Sequence, residues 1–333
     1  MTIRRRDTDD EPVSRFVSTG RLPTADLVRS YVAEAHDRYR FTTGGANSQV
    51  YPALAEAEPD LFGICIVGVD GQEYAAGDVG AGFAIMSGAK PFVFALVCMA
   101  IGSEEARNLI GMNATGLPFN SLAAVERDAQ GKTNPMVNAG AITATSLVLG
   151  DTPEDKWAVI QDGLSRFAGR PLFVDEGVLR SASATNHRNR AIVNLLQAYG
   201  KPYCDPDVAL DLYTKQSALL VTARDLAVMG ATLAHGGVNP FTGEQVVDPD
   251  ACRHTLAAMI TSGLYETSGD WLWDVGLPGK SGIGGGIMTV SPGKGGLGTF
   301  SPPLDPAGNS VRGQAASRFL SCRLGLDLLA SPS

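Results

Sequence analysis

The stretch Phe83-Ala-Ile-Met-Ser87-Gly-Ala-Lys90-Pro-Phe-Val-Phe-Ala-Leu-Val97 decides the reading of this chain. It sets a serine and a lysine three residues apart where a loop turns into a long apolar helix. Residues at i and i+3 share a helix face, so the Lys90 amine reaches toward the Ser87 hydroxyl. A serine hydroxyl is a poor nucleophile until a base takes its proton, and a lysine lowered in pKa by burial is such a base. Pro91 costs least if the helix begins near Gly88, because only the first N–H groups of a helix lack an intrahelical partner. Ser87 then lies at the N-terminus, where the helix dipole favours developing negative charge. A residue before proline disfavours the α region, so some distortion is expected at Lys90.

The spacing alone is not diagnostic, since Ser291-Pro-Gly-Lys294 repeats it inside a Gly/Pro-rich loop. A helix cap beside a solvated lysine accounts for a lone match just as well. Context separates the two copies, because only Lys90 is followed by an apolar run that buries its helix.

Around this centre the chain of 333 residues suits one large domain or two subdomains, with 44% hydrophobic residues to fill a core. A net charge of −8 without a basic stripe argues against nucleic acid and anionic membranes as partners. The charged start, Met1-Thr-Ile-Arg-Arg-Arg-Asp, has no apolar core of a signal peptide, and the run Pro91–Ile101 is too short to span a bilayer. A cytoplasmic location is the expectation. Five scattered cysteines lack Cys-x-x-Cys pairing, and three sit in apolar contexts that read as reduced core positions. The four histidines show no ligand spacing, so a structural or catalytic metal is not expected.

Residues 1–22 read as a polar arm, and Thr24 as the cap of a helix to about Tyr39. Phe62–Val69 and Gln72–Ala76, joined by Asp70-Gly71, read as a β-hairpin. Helical patterns follow for nearly two hundred residues. They include Asn138–Leu149, Pro153–Phe167, Arg188–Tyr199 and a segment opened by the capping box Thr222-Ala-Arg-Asp225. Strand signals return at Trp273–Leu277, Gly286–Val290 and Gly296–Phe300, and Ser310–Leu329 closes as a helix. Strands at both ends imply an α+β fold, with one antiparallel sheet built from both chain ends and an inserted all-helical subdomain. The expected division is an N-terminal arm and helix over 1–45 and a main domain over 46–325. Within it the sheet subdomain covers about 46–86 and 270–329, and the helical subdomain about 100–265.

Lys280-Ser281-Gly282, before a glycine-rich strand start, resembles the Lys-Thr-Gly element of serine β-lactamases and penicillin-binding proteins, although a plain turn has the same composition. A closer resemblance runs from about residue 46 to residue 325. Leu117-Pro-Phe-Asn-Ser121, Asn134-Pro-Met-Val-Asn138-Ala-Gly-Ala-Ile142, Arg188-Asn189-Arg-Ala-Ile192, Gly263-Leu-Tyr265, Val275-Gly-Leu-Pro278 and Ser301-Pro-Pro-Leu-Asp305 with Gly308-Asn-Ser310 occur in order. On these motifs the chain is similar to the glutaminase family with the β-lactamase-like fold.

That resemblance implies hydrolysis of L-glutamine to L-glutamate and ammonia without metal or cofactor, by a homodimer or homotetramer. It implies Ser87 as nucleophile, Lys90 as base and Tyr265 as proton shuttle. It puts the oxyanion hole at the Ser87 and Ile283 backbone N–H groups. It gives Asn138, Asn189 and Tyr213 the amino-acid end of the substrate, with Lys280, Ser281 and Gly282 in support. Taken singly, Asn138 also fits a helix cap, Asn189 a turn, and the two tyrosines core aromatics.

Three positions depart from the family pattern. Ala182 follows Ser181 where the family carries a glutamate that receives the substrate ammonium; Asp175 and Glu176 are the nearby candidates to replace it. Ala89 stands where a serine usually precedes the lysine. Val50-Tyr51-Pro52 replaces Tyr-Ile-Pro, which sets Tyr51 one place late for its role in the site. Two function classes follow: an active glutamine amidohydrolase, and a catalytically impaired relative that keeps fold and pocket and binds an amino acid or related amide.

Overall fold

In the computed structural model, which describes residues 20–330, both chain ends feed one five-stranded sheet. Its strands are β1 (Gly63–Gly68), β2 (Glu73–Gly77), β5 (Gly279–Ser281), β6 (Gly286–Ser291) and β7 (Gly295–Phe300), in spatial order β2-β1-β7-β6-β5 and antiparallel throughout. A separate two-stranded ladder pairs β3 (Phe83–Ala84) with β4 (Leu220–Val221), Phe83 opposite Val221. That ladder fixes the chain just before the Ser87 turn.

The sheet is covered on both faces, which explains why β1 is apolar along its whole length rather than alternating. Ile64 and Ile66 face the helices Ala25–Tyr39 and Val311–Arg323, packing with Val28, Val32 and Leu320. Cys65 and Val67 point the other way, onto Ala227, Val228 and Ala231 of the helix Ala223–Ala234. That helix lies so close to β7 that a Cβ on Gly298 would come within 2.1 Å of the Ala223 carbonyl oxygen. The glycine content of β7 thus serves helix-on-sheet packing.

Beyond this layer lies the larger core, around the helix Lys90–Ile101, with Phe92, Phe94 and Val97 fully buried. Phe92 meets the ring of Phe167 at 4.9 Å between centroids, joining this helix to Pro153–Ala168. All the helices from Lys90–Ile101 to Pro249–Ser262 lie in sequence between β3 and β5, as the helical-insert expectation requires. Burial pushes the thiols of Cys65, Cys98 and Cys252 up to about 12, and all five cysteines are free. No single helix among the described residues is long and apolar enough to cross a membrane.

Several local expectations change. Trp273–Leu277 is not a strand: Ser268–Val275 is a helix that buries Trp271 and Val275 one turn apart, leaves Trp273 88% exposed, and stops at Gly276 with φ 70°. The C-terminal helix ends at Arg323, with Gly325 at φ 60° shortly after. The helix Asn138–Ser146 stops before Leu149, and Arg188–Tyr199 is observed as His187–Gln197. Thr24 occupies the cap position of Ala25–Tyr39, yet its side chain makes no capping bond. The Thr222–Asp225 capping box is formed as read. Residues 1–19 of the expected polar arm lie outside the described residues.

Candidate active site

Ser87 sits in a 3-10 turn, Met86–Ala89, which runs directly into the α-helix at Lys90 with Pro91 in its first turn. Lys90 has ordinary helical angles, φ −55° and ψ −47°, so the expected distortion is not there. The unusual backbone is one residue before the serine. Met86 at φ 50° and Tyr265 at φ 56° are the two non-glycine residues of positive φ among those described. Both border the Ser87 turn, as strained backbone does at sites where a fixed geometry is held by its surroundings. The end of β5 closes on the same turn: a Cβ on Gly282 would stand 2.7 Å from the Ile85 carbonyl oxygen.

The Lys90 amine is sealed under this turn, and burial pulls its pKa down to about 7. It donates to Asn138 Oδ1 at 2.7 Å and toward the Met136 carbonyl at 3.4 Å, without a carboxylate partner. Asn138 is the first residue of its helix and spends its side chain on this amine rather than on a cap. Its Oδ1 also accepts from the Tyr213 hydroxyl at 3.1 Å, and its Nδ2 donates to Asn189 Oδ1 at 2.8 Å. The chain of amides continues beyond the residues named from sequence. Asn189 donates to Asn186 Oδ1 at 2.7 Å, Asn186 to Thr214 Oγ1 at 2.7 Å, and Thr214 to the Leu210 carbonyl at 2.8 Å. Asn186 is therefore a site residue that the sequence reading missed. Its signal is slight: an asparagine at a helix start reads first as a cap, and here it makes none.

On the opposite side the Tyr265 hydroxyl donates to the Ser281 carbonyl at 3.0 Å. Burial raises its pKa above the ordinary tyrosine range. Lys280 donates at 2.7 Å to the carbonyls of Gly263 and Ser281 and lies over the Tyr265 ring. Burial first, and the nearby Lys90 second, hold it well below the usual lysine range. Ser281 contributes its carbonyl; its buried hydroxyl has no partner among the described residues. The backbone N–H groups of Ser87 and Ile283 likewise have no hydrogen-bond acceptor among the described residues.

Ser87, Asn138, Asn189, Tyr213 and Ile283 meet at one cavity with Tyr51 among others, whereas Lys90, Tyr265 and Lys280 are buried and do not line it. Tyr51 is part of the wall despite its shifted register in the sequence. So is Ala182, which is buried in an apolar cluster with Tyr51, Val178 and Ala218. Neither candidate replacement for the missing carboxylate reaches the cavity. Asp175 caps the helix Glu176–Thr185 by accepting from Val178 N at 2.9 Å, and Glu176 is exposed.

An antiparallel sheet with a helical insert, and a Ser-x-x-Lys turn closed by Lys-Ser-Gly, define the β-lactamase-like fold. Within that class the chain belongs to the glutaminase family and is an amidohydrolase: the glutaminase family model matches residues 45–329. The chain is 60% identical to "Glutaminase 2" of Yersinia pestis over 333 residues, which cover 99% of this chain and 98% of that protein. It is 47% identical to the glutaminase of Mycobacterium ulcerans, over 92% of this chain and 95% of that one. Among solved structures, the probable glutaminase ybaS superposes with a TM-score of 0.91 at 42% identity, covering 93% of this chain and all of that one. A Bacillus glutaminase does so at 0.82 and 31%, over 91% of this chain and 99% of that one.

Proposed function

We propose that this chain hydrolyses L-glutamine to L-glutamate and ammonia, with Ser87 as nucleophile and Lys90 as its base. The observation that carries the reading is the Lys90 amine, drawn near neutrality one turn from Ser87 and without a counter-charge. A lysine in that state is unprotonated in a large fraction of molecules at neutral pH, so it has a lone pair for the serine proton.

Ser87 Oγ attacks the side-chain amide carbon as its proton passes to Lys90 Nζ. Negative charge moves to the carbonyl oxygen, between the Ser87 and Ile283 N–H groups, which have no internal acceptor to give up. Collapse breaks the C–N bond, and the leaving nitrogen departs as ammonia after receiving a proton. Tyr265, held as a phenol by its raised pKa, delivers that proton and takes one back from Lys90. Water then attacks the acyl-serine by the same route and releases glutamate. Lys280 is a positioning residue, because its amine is spent on the Gly263 and Ser281 carbonyls and lies over the Tyr265 ring. Asn138, Asn189 and Tyr213 take the carboxylate end. The two-subdomain division at about residues 100 and 265, the cytoplasmic location and assembly as a homodimer or homotetramer belong to the same reading.

The test is ammonia release from L-glutamine by the wild type and by Ser87→Ala. We expect loss of at least about a thousandfold in the variant with an unchanged circular dichroism spectrum. Equal turnover would end the covalent-serine reading.

A further inference from the structure

The same cavity carries information about which amide it takes, and this inference rests on the amidohydrolase reading above. Among the residues lining it, one is charged, Arg188, and it is a cation. It stands exposed at the rim, its Nε donating to the Asn120 carbonyl at 2.7 Å. No carboxylate among the described residues lines the cavity.

Three amide acceptors in the wall are engaged as well. Asn138 Oδ1 receives both Lys90 and Tyr213, Asn189 Oδ1 receives Asn138, and Asn186 Oδ1 receives Asn189. Around Ala182, which is 3% exposed, the wall is the apolar group of Tyr51, Val178 and Ala218, to which Thr185 and Ser217 add neutral hydroxyls. A substrate ammonium brought into this space sheds water and meets no opposite charge, and burying an unpaired charge is unfavourable. A ligand that carries a carboxylate and no ammonium avoids that cost and is drawn by Arg188.

We propose that the preferred substrates are short ω-amides with a free carboxylate and an uncharged α-carbon, of which glutaramate is the simplest, and that L-glutamine is turned over less efficiently. Ala182 sets this preference by leaving the α-substituent end of the cavity without charge.

The experiment compares kcat/KM for glutaramate and L-glutamine by ammonia release, in the wild type, Ala182→Glu and Ala182→Gln. The wild type is expected to favour glutaramate by about tenfold, corresponding to about 1.4 kcal/mol. Ala182→Glu supplies the missing counter-charge and should reverse the order, whereas Ala182→Gln adds the bulk without the charge and should keep it. A wild-type ratio at or below one overturns the proposal. So does a folded Ala182→Glu whose ratio equals that of Ala182→Gln. If Ala182→Glu fails to fold, the wild-type and Ala182→Gln ratios decide. Hydrolysis of neither amide by the wild type is a different result: it removes the amidohydrolase reading, and this proposal with it.

Discussion

Ser87-Gly-Ala-Lys90 and Ser291-Pro-Gly-Lys294 share a pattern, and both lysines are buried with pKa values lowered by desolvation. They end in different chemistry. Lys294 lies in the turn between β6 and β7 and donates to the Gly325 carbonyl at 2.6 Å, while Ser291 donates to the Leu326 carbonyl at 3.3 Å. Together they tie the chain after the last helix to the sheet. At the other copy a two-stranded ladder, a positive-φ residue and the close approach of Gly282 hold the serine at a cavity. The lysine there is coupled to a row of amides. Lys294 satisfies a chain-end carbonyl, whereas Lys90 donates to Asn138 Oδ1 one turn from a serine at a cavity, the setting in which we propose it acts as a base.

Exchanging the lysines breaks the comparison most sharply. Lys90→Met is expected to lower kcat/KM for glutamine by about a thousandfold or more, since nucleophile and base act as a unit. Lys294→Met should stay within about twofold of wild type, measured in the same assay. The pH dependence is the next largest effect. Turnover needs the neutral amine, so kcat/KM should fall tenfold per unit below about pH 7 and level off above it. The Lys294→Met variant should keep this break unmoved. Between about pH 7 and the ordinary lysine range the unfolded chain binds a proton at Lys90 that the folded one does not. Stability from this group therefore rises with pH across that window, and Lys90→Met removes that slope in denaturant titrations.

Asn186 sharpens the comparison at smaller scale, because only Lys90 stands at the head of an amide row. Asn186→Ala leaves Asn189 without its acceptor, and we expect kcat/KM to fall by about tenfold. Loss of stability alone would not move kcat at saturating glutamine, so a change in kcat as well as KM separates positioning from folding. The smallest effect is expected at Ser291. Ser291→Ala should cost about 1 kcal/mol of stability by urea titration and leave activity in place.

Much of this was legible in the sequence, and the exceptions have physical causes. The hairpin around Asp70-Gly71 and the Thr222 capping box are local signals, so they appear where they were read. Trp273–Leu277 misled because a short apolar run suits a strand as well as a helix, whereas the helix is set by Trp271 and Val275 burying one turn apart. The place of Tyr51 in the cavity wall was obscured by a one-residue shift in the sequence pattern. Asp175 and Glu176 lay close to Ala182 in sequence, but a helix cap and solvent exposure take them away from the cavity. Asn186 gave only the signal of a helix cap, because the amide row also draws on Asn138 and Thr214 from other helices, far away in the chain.

The central claim is that Ser87, and not its look-alike, carries the acyl group. Acid quenching of the wild type during glutamine turnover, followed by peptide mass mapping, tests it directly. We predict a glutamyl adduct on the peptide containing Ser87, with the Ser291 peptide unmodified; an adduct on Ser291, or on any residue other than Ser87, would contradict the account.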